Sequence, residues 1–177
     1  MKILNNFFKL ILIILLISCS KNDKVSIVKE KNIKTQMIEA FEEGYAELEN
    51  GDVLFAAKKF NEAELLYPQS VWAPKAALMA AYAYYSQDYY FDAEYELKRF
   101  LKVYPNEKNI SYAHYLLGMV YYENIVDEKK DLEPLILAEE KFKFIVKNYP
   151  NTDFALDSTY KLDLIQDYLA SKEMYIG

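Results

Sequence analysis

The sequence predicts an all-α solenoid of about three and a half helix pairs, seven helices in total, and three observations carry that prediction. Tyr-Pro recurs at Tyr67-Pro68, Tyr104-Pro105 and Tyr149-Pro150, at spacings of 37 and 45 residues, a period typical of stacked helical units. Twelve residues before each proline stands an alanine, Ala56, Ala93 and Ala138, and four residues after each alanine comes Phe60, Leu97 or Phe142. Residues at i and i+4 share one helix face, so the small one admits a neighbouring helix and the large one fills the gap beside it. The proline then ends the helix, because it donates no backbone hydrogen bond and disfavours α conformation in the residue before it. Finally, four glycines and five prolines in 177 residues are too few for an all-β sandwich, which needs a turn roughly every 10 residues.

The chain opens on an export signal. Lys2, Asn5, Asn6 and Lys9 precede an apolar run from Leu10 to Ile17 that ends at Ser18-Cys19, the charged start, apolar centre and small-residue exit of a secretory peptide. The run is too short to span a bilayer core, which takes about 20 residues. The tetrad Leu16-Ile17-Ser18-Cys19 holds the single cysteine and resembles the bacterial lipobox. That resemblance implies a lipoprotein signal peptide over 1–18, cleavage before Cys19, and acyl chains such as palmitate on Cys19. Ser20, in place of Asp, is similar to the residue found in lipoproteins sorted to the outer membrane. Loss of residues 1–18 removes Lys2 and Lys9 and takes the formal charge from −6 to −8. Residues 19–33 are polar, alternate in charge and carry no apolar stripe, so they read as a lipid-anchored tether.

The repeat domain is expected over 34–177, with repeats at about 35–68, 71–105 and 110–150 and a lone helix at 153–172. The first pair, 35–49 with 52–66, has Met37, Phe41, Tyr45 and Leu48 on its apolar face, and Gly51-Asp52 marks its turn. Glu43 and Glu47 interrupt that face where apolar residues are expected. The second pair, 71–86 with 89–103, begins near Pro74, and the third, 110–124 with 134–148, has Pro134 at its second helix; proline fits a first helical turn because its missing N–H has no partner there. The longer third repeat holds an insertion of 8 residues within 124–133, charged and aperiodic, which reads as a loop. Asn151 and Thr152 are candidate caps for the last helix. Phe154, Leu156, Leu162, Leu164, Ile165, Tyr168 and Leu169 give that helix several apolar faces, whereas a solenoid ordinarily ends in a polar cap. The sequence is therefore expected to be a C-terminally truncated fragment of a longer protein.

The alanine, the bulky residue four positions on and the closing proline resemble the tetratricopeptide repeat, and His114 to Tyr122 supplies the Leu-Gly and Tyr of its first helix. Ala77, Ala80, Ala81 and Tyr84 occupy the corresponding places in the second repeat. The lipobox, the tether, repeats ending in Tyr-Pro, the charged insertion, Lys161-Leu162-Asp163-Leu164 and the stretch from Leu169 to Gly177 together resemble the BamD family. The resemblance covers essentially the whole chain and is best from Phe55 to Gly177. It implies five repeats, of which three and the first helix of a fourth are present. It also implies a lipid-anchored, periplasm-facing, non-catalytic subunit of the machinery that inserts β-barrel proteins into the outer membrane. The implied partners are a BamA-type barrel subunit, docked through C-terminal repeats, other assembly subunits, and unfolded outer-membrane proteins held by the N-terminal repeats. Two further readings remain open: an anchored adaptor for another envelope machine, pilotin-like in secretin assembly, and a coordinator of cell-wall enzymes.

First-helix positions spaced about 3, 4 and 3 apart line the concave surface of such solenoids. Here they are Ile38, Phe41, Tyr45 and Leu48, then Lys75, Leu78, Tyr82 and Tyr85, then Tyr112, Tyr115, Met119 and Tyr122. Six tyrosines on one face exceed what core filling requires, and tyrosine offers large contact area with a hydroxyl able to reach peptide backbone. The expected peptide-binding groove is Phe41, Tyr45, Leu78, Tyr82, Tyr85, Tyr112, Tyr115, Met119 and Tyr122. Lys98, Arg99 and Lys102 read as a solvated basic face.

Other classes fit poorly. A net charge of −6 opposes nucleic-acid binding, which needs clustered cations, and 17 Tyr with 10 Phe oppose disorder. One histidine, His114, and one cysteine leave no metal-ligand set or catalytic triad, and His114 is assigned to packing. Glu42-Glu43, Asp127-Glu128 and Glu139-Glu140 point apart as sequence neighbours, and no glycine-rich phosphate loop occurs. No cofactor, metal or catalytic residue is expected.

Overall fold

The computed structural model describes residues 32–124 and 132–176, with side chains as far as residue 171. The expected signal peptide, the expected lipobox with Cys19, nearly all of the expected tether and most of the third-repeat insertion lie outside those residues. Seven α-helices form among the described residues: α1 Ile33–Asn50, α2 Val53–Leu66, α3 Ala73–Tyr85, α4 Tyr90–Val103, α5 Ile110–Glu123, α6 Glu133–Asn148 and α7 Asp153–Ile176. Each packs against the next in sequence, and α3 meets α5 and α5 meets α7 across the pairs. This is the contact pattern of a helical repeat array, in which neighbours supply the core.

The turns follow from local chemistry. Asn32 accepts from the Lys34 N–H at 3.0 Å and starts α1, while Gly51 ends it at φ 84°, a left-handed conformation open to glycine. Asp52 then caps α2 by accepting from the Phe55 N–H at 3.1 Å. Asp88, 37 residues after Gly51 and so at the same repeat position, takes φ 64° in the next turn. The Gln87 side chain donates to the Gly51 carbonyl at 3.0 Å and ties the two turns together. Each tyrosine of the Tyr-Pro pairs is a helix C-cap, with φ −144° at Tyr67, −122° at Tyr104 and −131° at Tyr149, outside the α region that a following proline disfavours. Helix α3 starts later than the sequence indicates, because Ser70 Oγ accepts from the Ala73 N–H at 3.1 Å and organises a preceding turn. Thr152 caps α7 through the Ala155 N–H at 3.2 Å.

Ala56, Ala93, Ala138, Phe60, Leu97 and Phe142 are all fully buried; full burial of a phenylalanine stabilises by about 1.5–3 kcal/mol. The core divides into two clusters on either side of α3. Ala76, Ala80 and Ala83 face the first pair, and Ala77, Leu78 and Ala81 face the later helices. Alanine on both sides of α3 lets it sit between two helix layers. Glu43 departs from the apolar pattern because it stays exposed at the edge of the α1–α2 contact, where it pairs with Lys59 of α2 at 2.8 Å.

Candidate functional site

The first helices of the pairs enclose a cavity of about 460 Å³. Tyr45 and Leu48 of α1, Lys75, Leu78, Met79 and Tyr82 of α3, and Asn109 and Tyr112 at the start of α5 line it. Its size suits a side chain or a short peptide segment. Tyr45 and Tyr82 are 48% and 37% exposed, so their rings are available to a ligand. Tyr112 is half-buried against Phe154, with centroids 5.3 Å apart, and burial pushes its hydroxyl pKa up to about 12. That hydroxyl therefore stays protonated near neutral pH and keeps its donor proton. The Lys75 ammonium stands 5.0 Å from the Trp72 ring centroid and 5.2 Å from that of Phe41, which places the cavity's cation on an aromatic bed.

Not every expected groove residue reaches this cavity. Phe41 is buried, edge-on to Phe60 and to Trp72 at 5.3 Å each, because α2 closes over Gly44 and draws the ring into the core. Met119 is also buried: α5 packs against α4, α6 and α7 and has no free face at its centre. Leu78 is buried as well, yet forms part of the cavity wall.

Tyr85, Tyr115 and Tyr122 make a second stretch that the chain itself engages. Tyr115 donates to Asp157 of α7 at 2.6 Å and lies 5.2 Å from the Phe154 ring. Tyr122 meets Phe142, with Lys161 at 5.0 Å over its ring. Tyr85 lies against Tyr90 at 6.3 Å, and Tyr90 donates to Asp88 at 2.8 Å. Burial, then hydrogen bonds to Glu123 and Asp157 respectively, hold the Tyr85 and Tyr115 hydroxyls well above the ordinary tyrosine range. The twelve-position reading of this face thus divides into an open cavity and a closed aromatic seam.

Met79 and Asn109 line the cavity, and Trp72 supports it, without having been singled out by spacing. The lone tryptophan at a repeat junction was the available signal for Trp72. Asn109 is a helix N-cap whose side chain makes no capping hydrogen bond, which leaves its amide at the rim.

Arg99 is not part of a solvated basic face. Its guanidinium donates to Glu64 at 2.6 and 2.8 Å and to Glu96 at 2.8 Å. Asn61 bonds to Glu96 at 3.1 Å and Tyr104 to Glu64 at 2.7 Å, so the network joins α2 to α4. The hydrogen bonds to Glu64 raise the Arg99 pKa against the opposing effect of burial. His114 packs 4.4 Å from Phe144 and 6.4 Å from Tyr149, and burial, aided by Lys141, lowers its pKa.

The sequence matches the family described as outer membrane lipoprotein, YfiO, over residues 33–177. It is 37% identical over 134 residues to the outer membrane protein assembly factor BamD of Caulobacter vibrioides, covering 76% of this chain and 44% of that protein. Against the BamD of Rickettsia prowazekii the identity is 34% over 137 residues, with 77% and 55% covered. The chain thus spans about half the length of the curated relatives it matches. Among solved structures, the first tetratricopeptide domain of human RPAP3 superposes with a TM-score of 0.58 at 18% identity, over 79% of this chain and 97% of that one. The first such domain of Spaghetti (RPAP3), bound to the HSP90 peptide SRMEEVD, gives 0.57 at 17%, over 77% and 95%. Both likenesses establish the fold as an all-α tetratricopeptide array.

Proposed function

From the premise that this chain belongs to the YfiO outer membrane lipoprotein family, we propose that it is a non-catalytic subunit assisting the folding and insertion of β-barrel proteins into the outer membrane. The observation that carries this reading is the cavity among α1, α3 and α5, with exposed Tyr45 and Tyr82 facing Lys75. An unfolded barrel strand presents alternating apolar and aromatic side chains. One such side chain fills the cavity while the tyrosine hydroxyls bond to its backbone. Acyl chains on Cys19, reached through the tether, hold the repeats on the periplasmic side of the outer membrane and raise their effective concentration near a BamA-type barrel subunit and the other assembly subunits. The relatives carry the name assembly factor, and binding without catalysis suits a site built of aromatic and aliphatic side chains, one amide and one ammonium.

The test is fluorescence anisotropy with an aromatic strand peptide from an outer-membrane barrel. Tyr45→Ala with Tyr82→Ala is expected to weaken binding at least about tenfold, since central aromatic contacts commonly contribute more than about 1 kcal/mol each. Far-ultraviolet circular dichroism should stay unchanged, both rings being partly exposed. Equal affinity in the double variant would move recognition off this cavity.

A further inference from the structure

The solvent faces of the second helices carry a pattern that the cavity does not use. Two residues before the repeat alanines of α4 and α6 stand Phe91 and Ile136, 81% and 54% exposed, with Tyr95, one turn after Phe91, 64% exposed. Nine residues after the same alanines stand Lys102 and Lys147, both exposed, in the last turn of each helix. Between them, Lys98 pairs with Glu94 and Lys143 with Glu139, again at matching repeat positions. Both helices pack against α5: Tyr121 of α5 donates to Glu94, while Gly118 abuts Phe142. The two helices are therefore repeat-related and both rest on α5.

Single exposed apolar residues are ordinary on a protein surface. Here Phe91 and Ile136 share one register, Tyr95 stands where α6 has the exposed Glu140, and each helix carries an exposed lysine in its last turn in a chain of net charge −6. Attraction to the helix dipole accounts for a lysine in the last turn, but it does not account for Phe91 exposed at the start of α4. We propose that the solvent face of α4 and α6 docks an acidic amphipathic helix of a partner protein, its apolar ridge on Phe91, Tyr95 and Ile136 and its carboxylates on Lys102 and Lys147. An amphipathic helix matches i, i+4 apolar anchors along one stripe and a charged margin beside it, and complementary charge fixes its orientation. This surface is separate from the tyrosine cavity, so the two assignments stand or fall independently.

The test uses the full chain and a fluorescein-labelled amphipathic helical peptide of leucine, alanine and glutamate, with a lysine-for-glutamate peptide as control. The acidic peptide should bind, weaken with added salt, and lose at least about tenfold in affinity in Phe91→Ser with Ile136→Ser and, separately, in Lys102→Glu with Lys147→Glu. All four positions are exposed, and unchanged circular dichroism would verify folding. Failure of the acidic peptide to bind, equal binding of both peptides, or indifference to both double variants would overturn the proposal. Binding to phosphatidylglycerol vesicles abolished by the same variants would overturn it in favour of a membrane surface, and self-association abolished by them in favour of a second copy.

Discussion

At the scale of single residues, the helix pairs are fitted by reciprocal size. A Cβ added at Gly118 would come within 2.8 Å of Phe142, and one at Gly44 within 2.9 Å of Phe60. At the same repeat position the second pair has Ala81, and there the opposing residue is the smaller Leu97, both fully buried. Glycine therefore stands where phenylalanine must enter, and alanine where leucine does. Gly118→Ala is expected to destabilise by about 1–3 kcal/mol through overpacking, despite the helix propensity of alanine, because the fully buried Phe142 ring would have to shift to admit the methyl group. Adding Phe142→Leu should recover part of that loss, and urea unfolding of the two single variants and the double would show the coupling. Cys19 poses a separate residue-scale question. With Cys19→Ala the precursor is expected to stay unprocessed in the inner membrane, as read by mass and membrane fractionation, and a mature outer-membrane form would refute the lipobox assignment.

At the scale of elements, α2 and α4 are joined by charge as well as by apolar contact. Glu64 and Glu96 are both buried and share the Arg99 guanidinium. Removing the cation leaves two buried carboxylates without the charge they share, so Arg99→Met should cost about 3 kcal/mol or more. The same substitution in a Glu64→Gln, Glu96→Gln background should cost much less, because uncompensated charge no longer remains. Thermal unfolding of the four proteins distinguishes this from lost packing alone, which would give equal penalties in both backgrounds. No such ionic join was legible in the sequence. Helical spacing grouped Arg99 with Lys98 and Lys102, and of the two glutamates it meets, Glu64 is 35 residues away on another helix. On α7, Leu156, Tyr160 and Leu164 form an exposed row at i, i+4 and i+8, opposite the buried Ala155, Ser158 and Ile165, which resolves its several apolar faces into one packed side and one open side.

At the scale of the whole molecule, tyrosine sets the alkaline limit. Burial, as the leading cause, raises the pKa of Tyr84, Tyr85, Tyr90, Tyr104, Tyr112, Tyr115 and Tyr121, with Tyr90 and Tyr112 near 12. A raised folded-state pKa means that the unfolded chain releases its protons first. Stability from these groups is complete below the unfolded value of about 10 and is lost as pH rises toward the folded values. The melting temperature should therefore fall steeply between about pH 10 and 12, and phenolate absorbance should appear together with loss of helical signal; full tyrosine ionisation with helicity intact would contradict this. The sequence by itself determined the repeat period, the seven helices and their buried alanines and large partners, because a helix has one period and a repeat reuses one core position in every copy. Only the tertiary structure decided which tyrosines stay open. Phe41 and Tyr115 stand at groove positions by spacing, yet one is drawn under α2 and the other is taken by Asp157, 42 residues on. Spacing tells which way a side chain points from its own helix, whereas its freedom depends on what a distant helix places in front of it.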